Sequence, residues 1–596
     1  MASNINDNIL SVNAVKKAMP ACMVYAFVQS MTFSVDTIIA GHFLGTDAVA
    51  AIALGMPIIG LMLAFTAMIM QGAFLKLLNA MGRNNMDDYR RIYSLSLIFT
   101  IVVDCIFLAI CLFATEGVLN IAGAAKATEE AARLGIIYVR TACLEILFFC
   151  VGTIFQLVIA TYGYQLDRMI SSTICIVVNV VSSIVFVYIL PDDIAIAGLG
   201  IGSAIGTFAQ LIVSYIMMKK RKISIKFKMY PLNKQNIVDS LDMVRRGFPS
   251  SIDSMLDSVS VSIVNRIILA TFAAEGTAYV ALVAILKTIY KVVQNMGRGV
   301  FYSSEPMVGI LSGSKDNNGI KKTFKTALKY GLIYSVSVAA ILLILKNPLL
   351  SFYNVGEDAD AHAGMIFIAV SSFIVVIPFV FNAVYESTGH LLLSLAVSVI
   401  PDSILYPVLI PVLSGILGPK GIWAAMMLNF IPFFIVYYII FMIIHRKAIV
   451  PLSRLLVLSK EGDDISELDV SISAEEKNVS FISEKLKGFL TEKGVDPKTA
   501  FKTALCTEEI AADYIAHRNS SEKSGKTAYM DIKVFRTHGN LEVILRNNDE
   551  LYNPLVFEKS KDDFSKIGIT MVQKISKEIT HSYAYHLNIV TITMEA

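Results

Sequence analysis

Ile431-Pro432-Phe433-Phe434-Ile435-Val436-Tyr437-Tyr438-Ile439-Ile440-Phe441-Met442-Ile443-Ile444 carries no charge, and His445-Arg446-Lys447 ends it abruptly. The run closes an apolar segment at 421–445. A helix of about 20 such residues crosses a bilayer core of roughly 30 Å. N-terminal to this point charges are sparse, whereas from about Lys460 onward they are dense. That change marks two solvents, lipid for the first part of the chain and water for the second. With 596 residues, the chain exceeds the usual length of one domain.

Similar runs precede this one, near 17–41, 47–78, 93–116, 134–160, 166–190, 194–218, 247–272, 278–312, 325–346, 362–388 and 392–417. Twelve membrane spans are expected. The polar N-terminus ends near Asn8, and the run after it is too long for a cleaved signal peptide, so it is expected to remain as the first helix. Overall the chain is 55% hydrophobic and only 17% charged, against about a quarter charged in soluble domains. A net charge of +3 supplies no field that would favour nucleic acid. Six cysteines (Cys22, Cys105, Cys111, Cys143, Cys150, Cys175) lie in apolar runs and Cys506 in the tail. With no CxxC pair among them, they read as small buried hydrophobes rather than metal ligands.

The loops set the expected orientation. Arg83, Arg90 and Arg91 lie between spans 2 and 3, a cluster from Lys219 to Arg246 between spans 6 and 7, and Lys315, Lys321, Lys322 and Lys325 between spans 8 and 9. Alternate loops lack this excess; the 5–6 loop reads Pro191-Asp192-Asp193. The positive-inside rule then puts both termini in the cytoplasm of a plasma-membrane protein.

The chain also repeats itself. Gly45-Thr46-Asp47-Ala48-Val49-Ala50 aligns with Gly276-Thr277-Ala278-Tyr279-Val280-Ala281, an offset of 231 (276 less 45). The same offset carries Gly82 to Gly313 and Arg90-Arg91 to Lys321-Lys322. Six spans separate the copies, which therefore share one orientation. The expected fold is an all-α polytopic membrane protein of two six-helix lobes related by a pseudo-twofold axis, a plan typical of secondary transporters. The boundaries fall at 1–235 and 236–447 for the lobes and 448–470 for a linker. A cytosolic α/β sandwich follows over 471–596, with helices near 473–494, 497–518 and 562–578 and strands near 529–534, 541–545 and 588–594.

The first lobe resembles the multidrug and toxic compound extrusion (MATE) family of cation-coupled exporters. The resemblance is carried by Val35-Asp36-Thr37-Ile38-Ile39-Ala40-Gly41-His42-Phe43-Leu44-Gly45-Thr46-Asp47-Ala48 with Pro57. Thr161-Tyr162-Gly163, Asn179 and Gly198 add to it, as do Pro249, Gly299, Pro306 and Gly313 in the second lobe. It implies export of a small organic substrate by alternating access, in exchange for Na⁺ or H⁺.

Asp36 is the first candidate for coupling. A carboxylate within a span costs roughly 2.5–3.5 kcal/mol on insertion scales and usually lines a cavity or ion path. The resemblance adds Asn179, which in the family is followed four residues on by Asp; here that residue is Ser183, so Ser203 and Thr207 of span 6 are candidate oxygen donors. Asp104 and Glu145 are further acids of the first lobe, facing the cavity or satisfied by neighbours such as Arg140. In the second lobe, Asp253 and Asp257 share one face of span 7, and Lys287, Lys291 and Arg298 share one face of span 8. Such a stripe either contacts an anionic or zwitterionic substrate or forms a buried ion-pair network with the span 7 acids. There is no GxxxxGK[ST] loop, so a P-loop engine is not expected.

The tail resembles the histidine-kinase-type ATPase fold, especially anti-sigma-factor serine kinases. Ala504-Leu505-Cys506-Thr507-Glu508-Glu509-Ile510-Ala511-Ala512-Asp513 carries Glu509 at that fold's catalytic acid, but Asp513 where it has a Mg²⁺-binding Asn. In Asn547-Asn548-Asp549-Glu550-Leu551-Tyr552, Asn547 stands for the base-reading Asp; of the glycine-rich turn only Gly568 remains. The site reads as degraded: ATP and enzymatic activity are not expected, and the tail is expected to regulate or to dock a protein. The leading expectation is a monomeric cation-coupled exporter without a resident cofactor. The alternatives are a lipid or lipid-linked sugar flippase, and a membrane-bound sensor that signals through its tail.

Overall fold

The computed structural model describes residues 9–121, 128–231, 233–272, 275–353, 355–458, 468–520, 528–537, 539–556 and 566–595, without the side chains of 33–34, 121, 253–255, 257–259, 262, 277 and 537. The expected pairing of Asp253 and Asp257 with span 8 therefore lies outside the described residues. The first lobe comprises α1 (Ile9–Phe43), α2 (Thr46–Gly82), α3 (Met86–Phe113), α4 (Thr115–Ile121), α5 (Glu129–Ala142), α6 (Glu145–Thr161), α7 (Gln165–Ile189) and α8 (Ala197–Lys220). The second comprises α9 (Lys234–Phe272), α10 (Gly276–Gly313), α11 (Asn317–Ile344), α12 (Lys346–Phe352), α13 (Ala359–Thr388), α14 (Leu391–Val399), α15 (Tyr406–Leu417), α16 (Lys420–Leu428) and α17 (Phe430–His445).

The internal repeat extends into the boundaries themselves. The offset of 231 (276 less 45) carries α3 onto α11 and α4 onto α12 at both ends. It also carries the helix caps: Asn85 accepts from the Asp88 N–H, and Asp316 from the Gly319 N–H. Such caps satisfy amides that have no partner within the helix.

Among the described residues, ten helices are long and apolar enough to cross a membrane, or eleven if α1 is counted across its 44° bend between Thr32 and Val35. Twelve were expected. The difference falls on α9, whose membrane segment carries Asp253, Asp257 and Arg266 and whose apolar part is only Ile263–Phe272. The fourth span is broken at Cys143-Leu144, between α5 and α6.

The lobes meet on one side and not on the other. The side that bears the tail has one apolar core drawing on both lobes, including Met19, Phe74, Leu78 and Tyr89 with Met307, Leu311 and Phe324. On the opposite side each lobe keeps its own core, around Val35, Ile52 and Tyr138 in the first and around Leu286, Met365 and Trp423 in the second. Glycines bring the lobes together on the tail side. A Cβ at Gly82 would meet the Ile310 carbonyl oxygen at 2.0 Å, and one at Gly72 would meet that of Met243 at 1.7 Å. Small residues permit this approach of backbones, which lipid-embedded helices require for close packing. Arg168 of α7 adds a polar tie, its guanidinium lying over the rings of Tyr25 (4.0 Å) and of Tyr302 in the other lobe (5.2 Å).

After α18 (Leu452–Leu455), the tail forms β1 (Leu468–Ser473), α19 (Glu476–Glu492), α20 (Pro497–Ser520), β2 (Tyr529–Thr537), β3 (Asn540–Asn547), α21 (Ile567–Ile575), β4 (Glu578–Ala584) and β5 (Leu587–Glu595). Its sheet is antiparallel, in the order β1-β2-β3-β5-β4. Strands β1 and β4 were not anticipated from sequence. Period-two alternation divides the sheet's side chains between two partners. Ile532, Val534, Val543, Leu545, Val590 and Ile592 pack on the helices. Ile544, Leu587 and Ile589 join the core shared by the two lobes. Part of the 448–470 stretch is also held on the bundle, since Tyr385 and Tyr437 both donate to the Leu455 carbonyl and His390 bonds that of Val457.

Candidate functional site

Asp36 lies one residue beyond the first residue after the α1 bend and is only 6% exposed. One carboxylate oxygen accepts from the Tyr138 hydroxyl of α5 at 2.9 Å; the other accepts from Ser203 of α8 at 3.3 Å. Ser203 in turn accepts from the Asn179 amide at 3.0 Å, and the Asn179 carbonyl accepts from Ser183 at 3.2 Å. Four of the five coupling candidates thus form one relay, Ser183 to Asn179 to Ser203 to Asp36. Thr207, though buried, donates to the Ser203 and Ala204 carbonyls of its own helix and stands apart. Among the described contacts every partner of this carboxylate is a neutral hydroxyl.

Glycine spacing builds the relay. Gly198, Gly202 and Gly206 recur every four residues on α8, along the face that packs on α7. A Cβ at Gly202 would lie 2.1 Å from the Ser183 hydroxyl oxygen, and one at Gly206 2.7 Å from the Asn179 Cβ. With any larger residue there, Asn179 and Ser203 would be held apart. The sequence reading did not anticipate Tyr138, because no spacing in the chain relates it to Asp36.

Glu145 is half-buried at the start of α6. Asp104 is fully buried and accepts from Thr66 at 2.8 Å. Arg140, expected as a partner for these acids, instead donates to Thr115.

In the second lobe an open cavity of about 120 Å³ is lined by Arg298, Tyr302, Phe379, Asn382, Glu386 and Asp402, among others. A π-helical turn over Ile400–Leu405 carries Asp402 to its wall, where Asn429 donates to it at 2.7 Å. Gln71 of the first lobe donates to two buried carboxylates of the second, Glu305 and Glu386. Glu305, Glu386 and Asp402 were overlooked, although an acid inside an apolar span is the signal that singled out Asp36.

The basic stripe is only partly assembled into this cavity. Arg298 lines it; Lys291 is exposed and Lys287 half-buried. Asn295, on the same helical face, donates to Ser30 of α1 at 2.7 Å. Lys291 and Lys287 lie one and two turns beyond that contact, toward the side where the lobes keep separate cores.

In the tail, Glu509 and Gly568 are brought together; a Cβ at Gly568 would lie 1.8 Å from the Glu509 carboxylate. Asp513 accepts from Lys566 at 2.5 Å and from the Tyr552 hydroxyl at 2.8 Å. The Tyr552 ring stacks on His517 at 3.6 Å. Asn547 is buried and accepts from Asn588. Asp513 and Asn547 are thus engaged with partners from within the domain. Among the described residues no group of three or more His, Cys, Asp or Glu is placed to hold a metal ion.

The family model MatE matches residues 20–185 and again 249–412, more than half of the chain and once in each lobe. The chain belongs to the MatE family. It is 22% identical over 348 residues to the protein described as "Probable multidrug resistance protein YoeA" of Bacillus subtilis (strain 168), an alignment covering 55% of this chain and 71% of that one. Among solved structures, the outward-facing conformation of a multidrug resistance MATE family transporter aligns with a TM-score of 0.62 at 17% identity, covering 72% of this chain and 94% of that one. A MOP superfamily transporter from Pyrococcus furiosus, whose binding pocket is described as reversed in polarity, aligns with the same score, identity and coverage. At these identities the structural likeness shows the fold. The MatE match, made once per lobe, accords with the internal repeat and makes this chain a multi-pass membrane transporter.

Proposed function

We propose that this MatE-family chain is a cation-coupled antiporter that exports small organic molecules by alternating access, with Asp36 as the acceptor of the coupling Na⁺ or H⁺. The single observation that carries the reading is a buried carboxylate, just past a bend in α1, whose described partners are all neutral hydroxyls. A carboxylate so placed can trade those contacts for a cation, whereas one already paired with Arg or Lys could not do so without stranding a charge. Binding a cation neutralises Asp36 and weakens its hold on Tyr138 and Ser203. Val35–Phe43 is then free to swing about the bend while Ile9–Thr32 stays in the shared core. A membrane potential supplies about 2.3 kcal/mol per charge per 100 mV, so one cation per cycle can drive export against a modest gradient.

The cavity of the second lobe carries Arg298 facing the acids Glu386 and Asp402, which suits a zwitterionic substrate. Lys287 and Lys291, beyond the Asn295–Ser30 contact, favour a second reading, transport of a lipid or lipid-linked headgroup that bears a negative charge. The tail is read as cytosolic because the basic loops around Arg83 and Lys315 lie on its side of the bundle. Its internally engaged polar groups favour regulation over nucleotide chemistry.

Efflux from proteoliposomes tests the reading. Asp36→Asn is expected to abolish both substrate export and the accompanying ion movement while leaving the protein folded. Export that persists unchanged in the variant would overturn the assignment.

A further inference from the structure

The tail is docked across the seam between the lobes. The tip of the β4–β5 hairpin is Tyr585-His586, both with positive φ (51° and 61°), as a two-residue turn of the twist-matched type requires. Non-glycine residues adopt this conformation at a cost, so their side chains merit an account. Tyr585 is 1% exposed. Its N–H donates to the Thr161 carbonyl, and the His586 N–H donates to that of Tyr162, so the tip caps the end of α6 in the first lobe. The Tyr585 hydroxyl donates to the Ser303 carbonyl of α10 in the second lobe at 2.8 Å. One residue thereby joins both lobes. Gly163 makes room for it: a Cβ there would lie 2.8 Å from the Tyr585 backbone.

Further anchors lie on either side of the tip. Toward the second lobe, Arg546 donates to Asp316 at 2.5 Å and to Ser314 at 2.9 Å, and Lys533 lies 3.5 Å from the same Asp316. Toward the first, Asn84 donates to Thr580 at 2.9 Å. The docked sheet face mixes the apolar Ile544, Leu587 and Ile589, which lie in the core shared with the lobes, with the buried polar Ser471, Asp531, Lys533 and Arg546.

We propose that the tail is a latch. By binding both lobes it holds the tail side of the transporter shut, and the β4–β5 hairpin must withdraw before that side can open. The inference rests on the alternating-access reading above for its consequence, and on the contacts alone for its geometry.

Cys22 of α1 reports on it. It lies near Tyr585, is 1% exposed, and belongs to the shared core that would part on opening. The test uses the full chain with Cys22 as its one remaining thiol, in detergent, and measures the rate of modification by a polar maleimide. Tyr585→Ala strips out the wedge. Asp316→Asn removes the charge at the other anchor but keeps a side chain able to cap α11. Each is expected to raise the labelling rate about tenfold or more, Asp316→Asn because losing one partner of a buried ion pair shifts an equilibrium by at least that factor, Tyr585→Ala because truncating a buried aromatic does the same. Cys22 as protected in both variants as in the parent would overturn the latch. Labelling requires no substrate: a chain that labels as expected yet exports nothing would count against the transport reading and leave the latch standing.

Discussion

Asp36 and Asp316 are both buried aspartates, and the contrast between them organises the molecule. Asp36 sits inside the first lobe with Tyr138 and Ser203. Asp316 sits at the seam with the tail, against Arg546 and Lys533. The basic partners of Asp316 outweigh the cost of its burial and hold its carboxyl far below the usual range. A carboxylate fixed by two cations is a fastener. One held by neutral hydroxyls is the proposed acceptor of a mobile ion. Residue type and burial alone do not separate these roles; the charge of the partners does.

Stability separates them most sharply. Breaking a buried pair by removing one partner costs about 3–5 kcal/mol, so Asp316→Asn is expected to lower the thermal midpoint and loosen the tail. Asp36→Asn leaves no cation stranded and is expected to be close to neutral in the same melt. Equal destabilisation by the two substitutions would erase the contrast. The pH dependence should follow as well. The Asp316 carboxyl titrates lower in the docked form, so its contribution is complete above its ordinary range near pH 4 and is lost as pH falls below it.

A smaller effect is expected nearer neutrality, from His586 at the hairpin tip. Burial is the main cause that lowers it to about 4, with Lys17 and Arg221 acting in the same direction and the contact with Gly163 and the charge of Asp167 opposing them. Free of the bundle, it should titrate near 6.5. Docking is then fully supported above about pH 6.5 and weakens as pH falls toward 4. The loss is about 2 kcal/mol at pH 5. Asp531 works the other way. Burial raises it to about 6 against the pull of Ser471 and Arg546, so its share of docking fades as pH rises through that value. Above about pH 6 the change belongs mainly to His586, and Cys22 labelling, divided at each pH by the rate of the same reagent with a free thiol because only the thiolate reacts, should rise from pH 7.5 to 6 in the parent and stay flat in His586→Asn. A parallel rise in both would remove His586 from the latch.

The sequence disclosed the bundle because lipid leaves little choice. Spans must be long and apolar, and an acid within one stands out, as Asp36 did. It was less informative where partners come from afar. Tyr138 reaches Asp36 through the packing of α5 on α2, which no local pattern encodes. Lys533 and Arg546 occupy strand positions whose face lies on the bundle, and only the tertiary arrangement supplies Asp316. Strands β1 and β4 escaped notice for a related reason: Asp469 and Ser471 in one, and Thr580, His581 and Ser582 in the other, dilute the apolar signal of strands completed by their neighbours. The apolar pattern of α9 falls short because Asp253 and Asp257 interrupt it, leaving only Ile263–Phe272 as an apolar stretch.

The central claim is that Asp36 exchanges a small cation for cargo. Counter-transport in proteoliposomes under separately imposed Na⁺ and pH gradients tests it most directly. The account predicts that one of the two gradients drives substrate accumulation, that the ion moves oppositely to the substrate, and that Asp36→Asn stops both movements together. Substrate movement indifferent to both gradients would contradict it.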